Sequence, residues 1–435
     1  MEISKYTLFI NHKKGHYIYN SLSNSIIQVD SELFSKLHSY KDKIFSVQTL
    51  NETPDILDNL KKTFIVIDKH DDDLLLYKAI IWSRRKTEGV YNITIAPTMD
   101  CNFKCYYCFE EPQKEYLTEE ISARISKFIN NCSDLKQLNL TWFGGEPLLA
   151  FEQICQISRS IKLSDKQHSY IAIITNGYYL TENVVNNLED LHINSIQVTV
   201  DGLFDKYDKI KFTRQDKHCF NKLIENIDYF AAKHKKISMT IRVNMTKKTM
   251  TDFKDVLDFF HNRYPNNPNI TVHPAFLKNI NNTTSESRAC EFCSGNDKMK
   301  FAQTLFYQTK DKHVLYPDNN FNECAIRNHN SWAFGPDGSV YKCWENIGDV
   351  NNKIGFLDEN GKIQITVPLR LAKYMYGADP LYDKHCTSCT YLPICFGMCP
   401  NERILSEEGD CAMENCAKRT KYLNKYISTL IDELY

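Results

Sequence analysis

The chain has 435 residues, of which 42% are hydrophobic and 25% are charged, which is ordinary for a globular protein of two or three domains. Its 53 Lys and Arg side chains almost balance its 54 Asp and Glu side chains, so the overall charge indicates neither a nucleic-acid partner nor an anionic membrane surface. Because it has no signal-peptide pattern and no long apolar run, we expect a cytoplasmic protein without a membrane partner. Sixteen cysteines in a reducing compartment favour metal binding or catalysis over a disulfide scaffold.

Residues 1–88 contain no cysteine and predict a small α+β domain. Short apolar runs between turn residues predict strands, and runs with helical periodicity that follow capping residues predict helices. The expected strands are 6–10, 16–20, 25–29 and 64–68, and the expected helices are 31–37, 54–62 and 71–86.

From residue 89 onward, strands and helices alternate at the spacing of βα units, which predicts a parallel sheet or barrel. The predicted strands are 93–96, 138–143, 170–175, 195–200, 238–243 and 270–273. The predicted helices are 118–131, 151–163, 181–190, 216–234 and 251–262. In α/β barrels the active site lies at the carboxyl ends of the strands, so we expect functional residues there.

A cysteine loop follows the first of these strands. Cys101, Cys105 and Cys108 are spaced C-x3-C-x2-C, and three thiolates on one loop can hold three irons of a [4Fe–4S] cluster. The fourth iron would keep an exchangeable position, as catalytic metal sites do. A zinc knuckle that takes a further ligand from a distant His or Cys is the alternative.

The cysteine loop, with the aromatic residue Phe109 directly after its last cysteine, resembles the signature of radical S-adenosylmethionine (radical SAM) enzymes. The resemblance implies a partial (β/α)6 TIM-type barrel over residues 89–310. It also implies that Cys101, Cys105 and Cys108 are the catalytic cluster ligands and that Phe109 contacts the cofactor. In that family the open iron binds the amino and carboxylate groups of S-adenosylmethionine, and an electron from the cluster cleaves it to a 5′-deoxyadenosyl radical.

The segment Gly144-Gly145-Glu146-Pro147 follows the second strand and resembles the segment with which this family binds the amino group of S-adenosylmethionine. Glycines allow a ligand to approach the backbone closely, and a carboxylate can pair with an ammonium group. We therefore expect Glu146→Gln to weaken cofactor binding by roughly ten- to a hundredfold at near-wild-type stability. A tight turn with a purely structural role is the alternative.

Polar residues also follow the next strands. Thr175 and Asn176 resemble the polar strand end that the family places near the cofactor ribose, and Asp201 resembles a Leu-Asp-Gly turn of its peptide-modifying branch, with valine in place of leucine. Arg242 and Asn244 fall on one side of their strand by its period of two, where the arginine could pair with the cofactor carboxylate. The alternative for each is a strand-end polar group with satisfied hydrogen bonds.

The cysteines of residues 311–435 resemble the SPASM extension, in which two auxiliary iron–sulfur clusters, expected to be [4Fe–4S], accompany the radical SAM barrel. The resemblance assigns Cys324, Cys343 and Cys399 to the first cluster, and Cys386, Cys389, Cys395 and Cys416 to the second. The fourth ligand of the first cluster could be Cys290, Cys293 or Cys411, or one iron could be open. A pair of treble-cleft zinc sites is the alternative. The isolated Cys132, Cys155 and Cys219 are expected to be small buried residues.

The resemblance implies an enzyme that abstracts a hydrogen atom from a peptide or protein and uses the auxiliary clusters to accept the remaining electron or to bind a substrate thiolate. We expect a maturase of a small ribosomal precursor peptide, with a reductant protein such as a flavodoxin or ferredoxin. Residues 1–88 resemble the leader-peptide recognition domains of such enzymes in size and element order, although a structural cap is the alternative.

Two other function classes stay open. An anaerobic sulfatase-maturing enzyme forms formylglycine, but those relatives carry an aspartate where this chain has Trp344, followed by Glu345. They are also compact and lack a long N-terminal unit. The last class is a non-enzymatic zinc or iron–sulfur scaffold, in which all of the cysteines would be structural.

Overall fold

The computed structural model describes most of the chain, as two compact units. The described residues are 1–85, 88–110, 112–163, 167–213, 216–277, 293–317, 319, 321, 324–405 and 410–435. The first unit comprises Met1–Thr87, Met299–His329 and Ala372–Tyr435, and the second comprises Glu88–Lys298 and Asn330–Leu371. None of the described helices combines the length and the apolar character that a membrane crossing requires.

The N-terminal part of the first unit contains two small sheets and four helices. Strands β1 (Glu2–Ile3) and β5 (Val66–Ile67) pair antiparallel, and β2 (Thr7–His12), β3 (Gly15–Asn20) and β4 (Ser25–Val29) form an antiparallel sheet in that order. The helices are α1 (Ser31–Ser39), α2 (Val47–Leu50), α3 (Pro54–Lys62) and α4 (Asp73–Arg85).

Local chemistry explains where these elements begin. The Asp30 side chain caps α1 by accepting a hydrogen bond from the Leu33 amide, and Thr53 caps α3 in the same way, with a proline in its first turn. The strand predicted over residues 64–68 is shorter in the structure because Phe64 has a φ of 57°, which is incompatible with an extended strand. The other predicted elements of this segment are confirmed within about two residues.

The second unit is built on a sheet whose six successive strands are parallel and adjacent in chain order. They are β6 (Val90–Ile95), β7 (Gln137–Trp142), β8 (His168–Thr175), β9 (Ile193–Thr199), β10 (Ser238–Met245) and β11 (Ile270–Phe276). The helices between them are α5 (Glu119–Asn130), α6 (Phe151–Ser160), α7 (Glu182–Asn187), α8 (Asp205–Asp208), α9 (Cys219–Lys233) and α10 (Phe253–Arg263). The predicted series of six βα units is confirmed.

Four short strands that the sequence did not predict extend this sheet beyond β6. They are β12 (Ser331–Phe334), β13 (Ser339–Tyr341), β14 (Gly355–Leu357) and β15 (Ile363–Ile365). Strand β12 runs parallel to β6, and the other three continue the sheet antiparallel. The described sheet therefore has β11 at one edge and β15 at the other.

The remaining elements are mostly helical. The α-helices are α11 (Gly295–Thr309), α12 (Pro368–Ala372), α13 (Lys384–Thr387), α14 (Leu392–Cys395), α15 (Pro400–Leu405) and α16 (Asp410–Leu434). One turn of π-helix, Lys373–Gly377, and five short 3₁₀ helices, Pro147–Ala150, Met250–Asp252, Lys312–Leu315, Ala325–Arg327 and Trp344–Asn346, complete the described elements.

The N-terminal and C-terminal segments of the first unit share a hydrophobic core. One cluster of buried side chains draws on both ends of the chain and consists of Tyr6, Leu22, Tyr77, Ile81, Leu381, Cys386 and Leu392. A second packs Tyr19 against Tyr391, Ile394, Leu423 and Ile427. The N-terminal segment therefore shares its hydrophobic core with the C-terminal segment. The predicted division into 1–88, 89–310 and 311–435 stays a prediction.

Candidate active site

The cysteine loop begins just beyond the carboxyl end of β6 and is held in place by a compact set of hydrogen bonds. Asp100 accepts from the Cys101 amide at 2.9 Å and from the Tyr116 hydroxyl at 2.9 Å, and its own amide donates to the Thr98 hydroxyl at 3.0 Å. Thr98 in turn donates to the carbonyl of Glu115 at 2.6 Å. The segment after the loop, which contains Glu115 and Tyr116, therefore holds the backbone at Cys101 in place.

Gly144 and Gly145, after β7, lie directly against the start of this loop. A Cβ atom on Gly144 would come within 2.4 Å of the Thr98 carbonyl oxygen, and one on Gly145 within 2.3 Å of the Asp100 carbonyl oxygen. Gly144 also has a φ of 110°, which L side chains rarely adopt. Both glycines are thus required by close backbone packing against the cysteine loop.

Glu146 is completely buried, with 0% of its surface exposed. Its carboxylate accepts hydrogen bonds from the Leu148 amide at 3.0 Å, the Thr175 hydroxyl at 2.7 Å and the Asn176 amide at 2.8 Å. Burial raises the pKa of the Glu146 carboxyl, and these three hydrogen bonds oppose the rise. Glu146 therefore joins the ends of β7 and β8, and Glu146→Gln cannot be expected to leave stability unchanged.

Thr175 and Asn176 take part in the same hydrogen-bond system. The Asn176 side-chain amide donates to Asn102 Oδ1 at 2.8 Å, which connects the end of β8 to the cysteine loop. Phe109, after the last cysteine, packs on a cluster that includes Ala96 and Met99. These three predicted cofactor contacts therefore also have structural partners, and their contact with a cofactor stays a prediction.

The three thiols of the loop are close enough to influence one another. Burial and then the Glu146 charge raise the pKa of Cys101, with Cys105 and Cys108 adding to the rise. Burial raises the pKa of Cys108 to about 11. Burial also raises the pKa of Cys105, whereas the Lys211 charge opposes that rise. The predicted cluster ligands therefore lie near one another, with Cys101 and Cys105 partly buried and Cys108 exposed.

A buried charged network, which we call the Asp201 network, lies at the ends of β9 and β10 and consists of Tyr107, Asp201, Lys211 and Asn244. The Tyr107 hydroxyl donates to Asp201 Oδ2, which forms an ion pair with Lys211 Nζ at 3.4 Å. The backbone N–H of Asn244 donates to Asp201 Oδ1 at 3.2 Å, and the side-chain nitrogen of Asn244 lies 3.5 Å from the Tyr107 hydroxyl. The network thus connects the interior of the cysteine loop to two strand ends.

Arg242 lies on the same side of β10 as Asn244, as period-two alternation predicts. Its Nε donates to Asn244 Oδ1 at 3.0 Å. Burial lowers the pKa of the Arg242 guanidinium, and the charges of Asp201, Tyr107 and Glu345 oppose that change. Arg242 is therefore a partly buried cation at the carboxyl edge of the sheet, and its pairing with a cofactor carboxylate stays a prediction.

Comparison with known proteins identifies the central part of the chain. Residues 95–260 match the model of the radical SAM superfamily. The chain carries a radical SAM domain. Radical SAM domains belong to enzymes that use S-adenosylmethionine and a [4Fe–4S] cluster, so the non-enzymatic scaffold is excluded as the function of the whole chain.

Three relatives illustrate this similarity. The radical SAM cyclopropyl synthase TigE from Paramaledivibacter caminithermalis is 20% identical over 91% of this chain and 89% of its own length. The structure of anSMEcpe has a TM-score of 0.60 at 18% identity, and covers 79% of this chain and 98% of its own. Streptococcus suis SuiB has a TM-score of 0.50 at 16% identity, and covers 92% of this chain and 96% of its own. These structures establish the α/β fold of a partial TIM-type barrel.

The radical SAM domain has a donor set that suits its cofactors. Three cysteines on one loop match three corners of a [4Fe–4S] cluster. Within the described residues, two buried polar atoms of this loop region, Asn102 Nδ2 and Glu110 Oε1, have no hydrogen-bond partner. Burial, together with the Glu146 charge, raises the pKa of Glu110 to about 7. Buried groups without partners are rare in folded proteins and are consistent with a ligand at this place.

The cysteines predicted to hold the first auxiliary cluster are divided between the two units. Cys324 and Cys399 belong to the first unit, whereas Cys343 belongs to the second. Of the candidates for its fourth ligand, Cys293 is described and belongs to the second unit, but Cys290 and the Cys411 side chain lie outside the described residues. This cluster stays a prediction.

The cysteines predicted to hold the second auxiliary cluster all belong to the first unit. Burial raises the pKa of Cys389, and the charges of Cys395 and Cys416 add to the rise. Cys389 and Cys395 also pack against the same buried cluster. Cys386 is buried and lies 3.4 Å from Arg403 Nη1. Among the described residues, no three His, Cys, Asp or Glu side chains are arranged around a single-ion site, and the cluster stays a prediction.

The isolated cysteines differ in burial. Cys219 is 0% exposed in α9, as predicted. Cys132 and Cys155 are only partly buried. The expectation of three buried cysteines is therefore correct for one of them.

Sequence reasoning missed the side chains that hold the cysteine loop, namely Tyr107, Lys211, Asp100 and Tyr116. Lys211 lies in a segment rich in charged residues, where lysines are normally exposed, but only 3% of it is exposed. Tyr107, inside the C-x3-C-x2-C loop, offered the clearer signal because its position ties it to the cluster ligands.

Proposed function

We propose that the protein is a radical SAM peptide maturase. It generates a 5′-deoxyadenosyl radical and abstracts a hydrogen atom from a ribosomally synthesised peptide, to install a cross-link or similar modification. The observation that carries the proposal is the three-cysteine loop, packed through Gly144 and Gly145 onto polar strand ends of a radical SAM domain.

The proposed residue roles follow the geometry. Cys101, Cys105 and Cys108 hold the [4Fe–4S] cluster, which supplies the electron that cleaves S-adenosylmethionine when both are bound. The proposed cofactor contacts are Phe109, Gly144, Gly145, Glu146, Thr175, Asn176, Arg242 and Asn244. The protein itself orients the two cofactors and keeps water away from the radical.

Replacement of the three loop cysteines by alanine tests the radical site. We expect the variant to lose reductive cleavage of S-adenosylmethionine to 5′-deoxyadenosine, measured by chromatography with dithionite as reductant. Iron held elsewhere should remain, and Cys155→Ala, a partly buried cysteine on α6, serves as the matched control. Undiminished cleavage in the triple variant would falsify the assignment.

One solved structure supports a peptide substrate. The anSMEcpe structure was determined with AdoMet and a peptide named Cp18Cys. A peptide or protein chain is therefore the proposed substrate class, with a flavodoxin or ferredoxin as the proposed electron donor and two auxiliary clusters as electron acceptors or thiolate-binding sites.

Trp344 favours a peptide maturase over a sulfatase-maturing enzyme. Its ring centroid lies 4.7 Å from that of Phe143, beside the Gly144 turn. By the resemblance, this indole stands at the sequence position where sulfatase maturases carry an aspartate. An indole cannot act as a base. Anaerobic incubation with a peptide encoded beside this gene and with a sulfatase-derived cysteine peptide, each followed by mass spectrometry, separates the two functions. Formylglycine in the second peptide would overturn this preference.

We propose that the β2–β3–β4 sheet binds the leader of the precursor peptide. Strand β4 lies at an edge of this sheet, and an edge strand can accept another chain by main-chain hydrogen bonding. Deletion of residues 1–88 would break a core shared with the C-terminal segment, so hydrogen exchange on the intact enzyme is the better test. Addition of the encoded precursor should slow exchange at Ser25–Val29, and unchanged exchange there would refute the idea.

A further inference from the structure

The Asp201 network contains a buried positive charge whose function is not explained by the proposed cofactor contacts. Lys211 is 3% exposed and Asp201 is 5% exposed. Lys211 Nζ lies 3.4 Å from both Asp201 Oδ2 and the carbonyl oxygen of Thr199. A buried ion pair costs desolvation free energy and is weak evidence for a stabilising role alone, so its position beside the cysteine loop calls for a functional account.

The protonation states of the network are fixed by its members. Burial on its own would lower the pKa of Lys211, but the Asp201 charge and the nearby Cys105 outweigh it and raise the pKa. Lys211 is therefore a buried cation paired with Asp201, and Tyr107 holds Asp201 through its hydroxyl.

Both groups act on the cysteine loop. Tyr107 stands between Cys105 and Cys108 in the loop and donates its hydroxyl proton to Asp201, which is paired with Lys211. The charge of Lys211 acts on the Cys105 sulfur more strongly than the opposing charge of Asp201. Positive charge and hydrogen bonds to the sulfur atoms are the means by which proteins set iron–sulfur reduction potentials. The network thus contains one group that would favour an added electron, one that would disfavour it, and a hydroxyl donor.

We propose that Lys211, Asp201 and Tyr107 set the reduction potential of the cluster held by Cys101, Cys105 and Cys108. This inference rests on the proposed function of that loop. Reduction adds one electron from an external single-electron donor to the cluster and changes its charge by one. Lys211 stabilises the reduced state, whereas Asp201 destabilises it, and the Tyr107 hydroxyl weakens the effect of Asp201 by donating a hydrogen bond to its carboxylate.

The test is a potentiometric titration of the full-length, iron-loaded protein, followed by electron paramagnetic resonance. The signal that changes on addition of S-adenosylmethionine identifies the cluster with the open iron. We expect Lys211→Met to lower the equilibrium constant of reduction about tenfold, which is ~59 mV for a one-electron couple. Lys211→Arg should restore the wild-type value, and Lys209→Met, at an exposed lysine two positions earlier, should leave it unchanged.

Replacement of Asp201 should change the equilibrium constant of reduction in the opposite direction, which distinguishes an effect of charge from a general structural effect. Asp201→Asn should raise the equilibrium constant several-fold, and Tyr107→Phe should lower it several-fold at unchanged iron content. If Lys211→Met does not fold, the double variant with Asp201→Asn removes both charges, and its equilibrium constant should lie below that of Asp201→Asn alone. Shifts of the same sign at Lys211 and Asp201, or no shift at either, would overturn the inference. A wild-type protein without a signal that responds to S-adenosylmethionine would instead refute the proposed function.

Discussion

Gly145→Ala should separate the cysteine loop from the turn after β7. The φ of Gly145 lies outside the left-handed region, so alanine is allowed by the backbone, but the new Cβ would lie 2.3 Å from the Asp100 carbonyl oxygen and 2.8 Å from that of Met99. Both neighbours are backbone atoms and cannot rotate away. The loop must move by about 0.7 Å to restore 3.0 Å, which stretches the 2.8 Å hydrogen bond from the Glu146 amide to Asp100.

The expected cost follows from these contacts. Overpacking of this kind costs about 1–3 kcal/mol, and the weakened hydrogen bond adds about 0.5–1.5 kcal/mol. The reduced entropy of the unfolded chain returns about 0.4–1 kcal/mol, so the free energy of unfolding should fall by about 0.5–4 kcal/mol. Because Cys101 follows Asp100 directly, iron content after anaerobic reconstitution should fall as well.

Urea unfolding and iron analysis, compared with a second glycine, provide the assay. A Cβ on Gly335 would meet Oδ1 of Asp337 at 3.0 Å, and a shift of a few tenths of an ångström in that side chain relieves the contact. Gly335→Ala should therefore be neutral or more stable by up to about 1 kcal/mol. Equal unfolding free energies and equal iron contents in the two variants would show that close packing at Gly145 does not position the loop.

Three further changes test other parts of the structure. Glu146→Gln should lower the free energy of unfolding by about 1.5–3 kcal/mol, because an amide nitrogen must face a hydrogen-bond donor, and calorimetry should show weaker S-adenosylmethionine binding than in the wild type. Arg85→Ala leaves the fully buried Asp379 carboxylate, now bonded at 2.5 and 2.9 Å, without its partner, and thermal unfolding should show a loss of about 3–5 kcal/mol. Burial alone would raise the pKa of Asp228, but hydrogen bonds from Arg263 and Tyr264 outweigh it and lower the pKa. The contribution of the Asp228 carboxylate to stability is therefore present above its usual pKa of 3.8 and disappears on acidification. The difference in urea midpoint between wild type and Asp228→Asn should therefore shrink as the pH falls below that value.

The sequence predicted the elements that have their own periodicity or turn residues. The six parallel strands were visible because each carries alternating or consecutive apolar residues, and the first five are each followed by a helical pattern. Strands β12 to β15 were not, because they are only three or four residues long and owe their conformation to pairing with neighbours. The shared core of the two chain ends was equally invisible, since contacts such as that of Tyr19 with Leu423 depend on long-range packing.

The candidate site shows the same division. Cys101, Cys105 and Glu146 could be found because their spacing and their place at strand ends are local properties of the chain. The burial of Lys211 could not, because it depends on Asp201, ten positions earlier in sequence, being folded back against it at the end of β9. Nothing in a charged segment distinguishes a lysine that will be buried from one that will be solvated.

In this site, polar atoms that have hydrogen-bond partners within the protein can be distinguished from buried polar atoms that have none. The Glu146 carboxylate already accepts three internal hydrogen bonds, so its main energetic effect in the described structure is to join two strand ends. Asn102 Nδ2 and Glu110 Oε1 are buried without partners among the described residues, and each such atom costs about 1–3 kcal/mol. A ligand that forms hydrogen bonds with these two atoms removes that cost when it binds. Glu146 therefore stabilises the folded site, whereas Asn102 and Glu110 have polar atoms whose hydrogen bonds only a ligand would complete.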